Sequence, residues 1–191
     1  MSPPPAARDA LAPVVTTDGV LPTTDVVRGI SLYALEAKLE DQTGRSIRFE
    51  LFRGQPTIVA MFYASCPQAC PRLISNIKAI EAALDPAARA KLRVLLISID
   101  PETDDPATLR RVVDRHGLDT ARWRLARTDA ETMREIAAVL GVKYRRDDGT
   151  LNHSSVITVL DQAGAIDSRF DGMSGAALAA SDRIRELSRQ R

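Results

Sequence analysis

The two cysteines of this chain stand in one short segment, Cys66-Pro67-Gln68-Ala69-Cys70-Pro71. An apolar run, TIVAMFYAS at residues 57–65, precedes them, and a helical pattern begins at Pro71. Thiols between the carboxyl end of a buried strand and the amino end of a helix are placed for sulfur chemistry. The helix dipole and the free backbone N–H groups there stabilise thiolates. Three residues separate the cysteines, where a dithiol oxidoreductase usually has two. The longer loop lets the sulfurs meet in a disulfide or splay around one ion. Soft thiolates favour Cu(I), and a nearby imidazole would add a third ligand and also suit Cu(II). These residues alone leave electron exchange, metal binding and a combination of the two open.

There are two histidines. His153 directly precedes the strand pattern Ser154–Asp161, in a polar stretch over residues 144–153. In a thioredoxin-like fold, with the cysteines at the first β-to-α turn, that strand start lies beside them, and His153 is the candidate third ligand. His116 precedes Gly117 in the last turn of a predicted helix and reads instead as a partner of the helix dipole. A structural zinc site fits poorly, since it normally takes four protein ligands and Cys66, Cys70 and His153 are three. A peroxiredoxin would need Thr or Ser where Tyr63 stands, and Met1, Met61, Met133 and Met173 do not cluster in sequence. Flanked by prolines at a helix start, the two cysteines are expected to be exposed, which argues against an inert disulfide.

The elements that must position these groups follow from periodicity. SLYALEAKLE alternates weakly, and DQTGRSIRFELF reads as a hairpin turning at Thr43-Gly44. The strand Thr57–Tyr63 leads to a helix from Pro71, with Leu73, Ile77, Ile80 and Leu84 on one stripe and a stop at Asp85-Pro86. RVLLISI, residues 93–99, is a buried parallel strand by composition. Asp105-Pro106 opens a helix that ends near His116-Gly117, and WRLA at 123–126 is a short strand. Asp129 caps a further helix closed by Gly141. Residues 144–153 read as a polar loop turning at Asp148-Gly149. SVITVLD is then a strand, hairpinned to Ala165–Phe170, and a last helix starts at about Ser174. The alternation predicts an α/β, thioredoxin-like fold: a central mixed sheet flanked by helices, with an N-terminal β-hairpin.

At 191 residues the chain suits one domain, over residues 28–191, with a Pro- and Ala-rich stretch at 1–27 read as a flexible tether. A net charge of +1 gives no footprint for nucleic acid. Lys143, Arg145 and Arg146 read as a solvated loop. No apolar run approaches the roughly 20 residues that span a bilayer. Met1 leads into SPPPAARDALAP without a signal peptide. The chain is therefore expected to be cytosolic, or a trimmed form of an exported or anchored protein.

Four segments resemble the Sco/SenC family of copper chaperones for cytochrome c oxidase assembly. They are SLYALEAKLEDQTGRSIRFELFRGQPTIV (31–59), FYASCPQACP (62–71), SIDPETDDP (98–106) and LNHSSVITVLDQAGAI (151–166). The resemblance implies that Cys66 and Cys70 are thiolate ligands and a redox pair, and that His153 is the third ligand to one copper ion, Cu(I) or Cu(II). It implies delivery to the copper-bearing subunit of cytochrome c oxidase or to another copper chaperone, with a thiol reductant as a further partner. Asp100 and Asp104 match acidic positions with a supporting or docking role. It also implies a periplasmic or other extracytoplasmic location, on a membrane tether missing from this sequence. The chain departs from the family at Gln68 and Asn152, where acids are common, and at Phe62 and Ala64-Ser65. Two alternatives stay open: a thiol–disulfide oxidoreductase that keeps partner cysteines reduced, and a copper-dependent redox sensor.

Overall fold

The computed structural model describes residues 20–21, 31–147, 150–174 and 176–190. In chain order its strands and helices are β1 (Val20–Leu21), β2 (Leu39–Asp41), β3 (Ser46–Ile47), β4 (Thr57–Phe62), α1 (Ala69–Ala83), α2 (Pro86–Lys91) and β5 (Arg93–Ser98). There follow α3 (Pro106–His116), β6 (Trp123–Arg127), α4 (Ala130–Leu140), β7 (Tyr144–Asp147), β8 (Thr150–His153), β9 (Val156–Leu160), β10 (Ile166–Asp171) and α5 (Ala177–Arg189).

Eight strands form one sheet in the order β1-β10-β9-β4-β5-β6-β2-β3. The β4, β5 and β6 strands are parallel, and the outer pairings are antiparallel. This is the expected mixed sheet. Every residue of β4 is buried, as are Val94–Ser98 of β5 and all of β9. For β4 and β5 such unbroken burial is what parallel crossovers impose on central strands. Helix α1 lies between α5 and α3, bridged by Arg185 to the Ala83 carbonyl and by Lys78 Nζ to the His116 carbonyl at 2.9 Å. Buried Glu81 accepts from Trp123 Nε1 at 2.9 Å and Arg122 Nε at 3.1 Å, fixing α1 to β6.

Helices α3 and α4 keep the caps read from sequence. Asp105 and Asp129 accept first-turn N–H groups, and Gly117 and Gly141 close the helices with left-handed backbone. Other boundaries differ. Asp85-Pro86 does not only stop α1; Asp85 caps the separate helix α2. Phe49–Phe52 is a 3-10 turn rather than a strand, because both phenylalanines point into the core. The stretch 144–153 is not a loop but the hairpin β7–β8, and its Asp148-Gly149 turn lies outside the described residues. Helix α5 starts at Ala177, after Ser174. Of the stretch read as a tether, Val20–Leu21 are described; they pair with β10, and Leu21 is buried.

Gly164 has φ +80°, and a Cβ there would stand 2.3 Å from the buried Tyr33 ring. Gly54, at φ +84°, faces open space. Gly164→Ala is expected to lower the unfolding free energy by about 2–4 kcal/mol, from backbone strain plus overpacking. Gly54→Ala bears the strain alone, about 1 kcal/mol. Urea denaturation of the two variants checks the order.

Candidate metal centre

The register of the sheet assembles the site. In antiparallel pairing, Ala60 of β4 stands opposite Ile157 of β9. Residues that continue β4 therefore run alongside residues that precede β9. Tyr63 to Cys70 leave β4 at the end where His153 to Ser155 approach β9. Parallel β5 ends at the same level and releases the segment 98–104 there.

Helix α1 begins at Ala69, two residues before the proline expected to open it. Cys70 thus lies in the first turn, where backbone N–H groups lack helical partners. Gln68 gives no side-chain cap. Cys66 Sγ takes that place, accepting from the Cys70 N–H at 3.2 Å. Cys70 Sγ in turn accepts from the Tyr63 N–H at 3.5 Å. Both cysteines are free thiols, and contrary to expectation both are buried: Cys66 is 8% exposed and Cys70 3%. The two cysteines share a small crevice with Tyr63, Ile74, Val112, Arg115 and His116.

His153 ends β8, and its Nε2 stands 3.7 Å from Cys70 Sγ. Its Nδ1 lies 3.1 Å from the Ser154 carbonyl. A carbonyl can only accept, so Nδ1 carries the proton and the neutral ring turns the Nε2 lone pair toward the thiol. The Tyr63 ring meets the imidazole edge-on, with centroids 5.7 Å apart. Burial holds the His153 pKa below the usual histidine value, against the Ser154 carbonyl, which keeps the ring neutral and leaves the Nε2 lone pair free.

The two aspartates of the 98–104 segment brace the two halves of the site. Asp104 Oδ2 accepts from the Ala64 N–H at 3.0 Å and from Ser98 Oγ at 2.6 Å. Asp100 pairs with Arg146 of β7 at 2.7 Å. Burial raises the Asp104 pKa against the lowering effect of those two donors, and Asp100 adds to the rise.

The thiols differ in acidity. Burial opposes the Cys66 thiolate, but the Cys70 N–H and thiol, the Gln68 N–H and the Tyr63 hydroxyl outweigh it, so the Cys66 pKa falls below the free-thiol value. Burial pushes the Cys70 thiol well up despite the Tyr63 N–H, and the charges of Cys66 and Asp104 add to the rise. The Tyr63 hydroxyl is pushed up to about 12, first by burial and then by Cys66.

Cys66 therefore touches the Cys70 backbone, and His153 the Cys70 sulfur, at one end of the sheet. As they stand, no three His, Cys, Asp or Glu side chains among the described residues are gathered closely enough to hold a metal ion. The donor chemistry, two thiols and an imidazole lone pair, suits a soft ion. His116 lines the same crevice from the end of α3, its pKa lowered by burial and by Arg115 and Lys78. Sequence reasoning missed three members. In sequence Tyr63 signals only a difference from a peroxiredoxin, Arg146 belongs to a stretch with a solvated pattern, and Ser98 carries no signal in a strand pattern.

The model of the SCO1/SenC family matches residues 31–188. The SCO1 protein homolog of Bacillus subtilis is 23% identical over 84 residues, covering 44% of this chain and 43% of that protein. A protein of Stutzerimonas stutzeri named for an inferred copper-binding role is 21% identical over 136 residues, covering 69% and 65%. The chain thus spans less than two thirds of each. Bradyrhizobium japonicum ScoI with copper bound superposes with TM-score 0.67 at 24% identity, over 79% of this chain and 96% of that one. A SCO1/SenC family lipoprotein of Bacillus anthracis gives 0.71 at 20%, over 85% and 98%. BsSco, a Sco-family cytochrome c oxidase assembly protein with a disulfide switch, gives 0.72 at 18%, over 86% and 99%. At these identities the structures establish a shared fold, the thioredoxin-like one expected.

The acidity difference sets an order of reaction. As pH rises, iodoacetamide should modify Cys66 first, with a rate midpoint below that of a free thiol, because the thiolate is the reactive form. Cys70 should remain unmodified until the protein unfolds. Mass spectrometry after limited alkylation checks this, and prior labelling of Cys70 would contradict the assignment.

Proposed function

The chain belongs to the SCO1/SenC family, and from that premise we propose that it binds one copper ion through Cys66, Cys70 and His153 and hands it to the binuclear copper centre of a cytochrome c oxidase. The observation that carries this reading is the pairing of Cys70 Sγ with a His153 Nε2 lone pair at 3.7 Å, beside a second thiol of lowered pKa. Two sulfurs and one imidazole form a donor set for Cu(I) that also admits Cu(II). Copper is here the cargo. Taking it up gathers three donors that already share one end of the sheet. A three-ligand centre leaves room for an incoming ligand from the recipient, so transfer proceeds by exchange without prior loss of the ion.

The roles of the chain's own groups follow. Cys66 supplies the thiolate that forms first. Cys70 holds its proton until a cation displaces it, and His153 presents Nε2 because the Ser154 carbonyl holds the other nitrogen's proton. Names among the relatives support the reading: copper-bound ScoI for the metal, and a Sco assembly protein for the recipient. The recipient is the oxidase's copper-bearing subunit or another copper chaperone. An extracytoplasmic place on a membrane tether is supported by the Bacillus anthracis lipoprotein. Among the described residues no helix is long and apolar enough to cross a membrane.

The acidity split between the thiols favours a second reading, a thiol–disulfide oxidoreductase. In it the Cys66 thiolate attacks a partner's disulfide, the first partner sulfur leaves as a thiol, and Cys70 resolves the mixed disulfide. The partner gains two thiols, Cys66 and Cys70 become a disulfide, and a thiol reductant restores them.

Anaerobic titration with Cu(I) against a competing chelator separates the two. Wild type should bind one equivalent. Cys66→Ala, Cys70→Ala and His153→Ala should each weaken binding by more than the roughly 10–100-fold cost of losing an outer-shell partner. A His153→Ala protein that kept wild-type copper affinity while Cys66→Ala abolished reduction of a disulfide substrate would establish the oxidoreductase instead.

A further inference from the structure

The hairpin β7–β8 is a sheet of its own, separate from the eight-stranded one. Two-stranded hairpins are marginal without outside support. At its base, Ser154 N–H donates to the Lys143 carbonyl at 2.8 Å, and Lys143 N–H donates to Ser154 Oγ at 3.0 Å. Leu151 is buried, and Tyr144, directly across from His153, packs at the margin of the core. Further out, Arg146 stands opposite Leu151 and reaches Asp100 Oδ1 at 2.7 Å.

Asp100 is itself anchored. Its N–H donates to Ser98 Oγ at 3.0 Å, and that hydroxyl donates to Asp104 Oδ2, which also accepts from Ala64. One line of polar contacts therefore runs from Arg146 through Asp100, Ser98 and Asp104 to Ala64. It joins the hairpin that carries the imidazole to the turn that carries the thiols. We propose that the Arg146–Asp100 ion pair is a positioning contact that holds His153 against the cysteines, and so sets the share of copper affinity that the imidazole supplies. The inference rests on the copper reading above for its second half, and on the hairpin alone for its first.

The pair is partly exposed, with Asp100 11% and Arg146 53% accessible, so its effect is modest and screened by salt. Arg146→Ala and Asp100→Asn should each raise amide hydrogen exchange in 144–147 and 150–153 while β4, β5 and β9 keep wild-type protection. Each should weaken Cu(I) binding about five-fold, the scale of such a pair. Arg146→Lys should recover most of both. Added to His153→Ala, Arg146→Ala should cost nothing more, since the contact acts through the imidazole.

The test measures hydrogen exchange of the metal-free full chain and Cu(I) competition titrations across these variants. Unchanged exchange in the hairpin overturns the proposal. So does raised exchange with unchanged affinity where His153→Ala itself weakens binding, and so does an equal loss in the His153→Ala background. If His153→Ala binds Cu(I) like wild type, the copper reading fails, and exchange alone decides. Raised hairpin exchange in Arg146→Ala then upholds the positioning contact, and wild-type exchange removes it.

Discussion

The antiparallel register of β9 on β4 places Ala60 opposite Ile157, and the site is built outward from that pairing. Parallel β5 adds the 98–104 segment at the same edge, so a thiol turn, an acidic turn and a histidine hairpin converge there. Both faces of β9 are packed, so a slip of one residue would exchange its side chains between two filled layers and misfit both. The core thus fixes the distance between groups 83 residues apart in sequence, Cys70 and His153.

Within that frame the two cysteines are made unequal. The Cys66 sulfur caps a helix whose N-cap residue offers nothing and whose third residue, Pro71, has no N–H. Cys70, one turn further and deeper, is desolvated and shares its surroundings with Cys66 and Asp104. The same inequality suits either proposed use: in metal uptake one thiolate would be ready and the other deprotonated by the ion, and in disulfide exchange one sulfur would attack and the other resolve. His153 distinguishes the two uses, since only a metal requires its lone pair.

The acids of SIDPETDDP acquire a structural meaning. Asp104 is not at the surface for docking; it is buried and ties the start of the cysteine turn to the end of β5. Asp100 reaches Arg146 instead of solvent. Gln68 and Asn152, which stand where the family often has acids, leave both braces intact, because neither contributes to them.

Much was legible in sequence where a local rule applies. The caps of α3 and α4 follow from Asp and Gly at set offsets, and the central strands from unbroken apolar runs. The candidate donor residues follow from the cysteine spacing and from a histidine next to a strand. What sequence could not give was set by contacts between distant segments. A hairpin of mostly polar residues, Tyr144–Asp147 and Thr150–His153, lacks an apolar alternation of its own, so only the burial of Leu151 and the pairing of Arg146 with the body reveal it. Helix starts are usually exposed, which predicts exposed cysteines, whereas both are buried in a crevice that the end of α3 also lines. Residue type and local periodicity specify the chemistry on offer, two thiols and an imidazole at strand ends. The tertiary structure alone decided which nitrogen faces which sulfur, and how acidic each thiol is, because burial and hydrogen-bond direction exist only after the segments have packed.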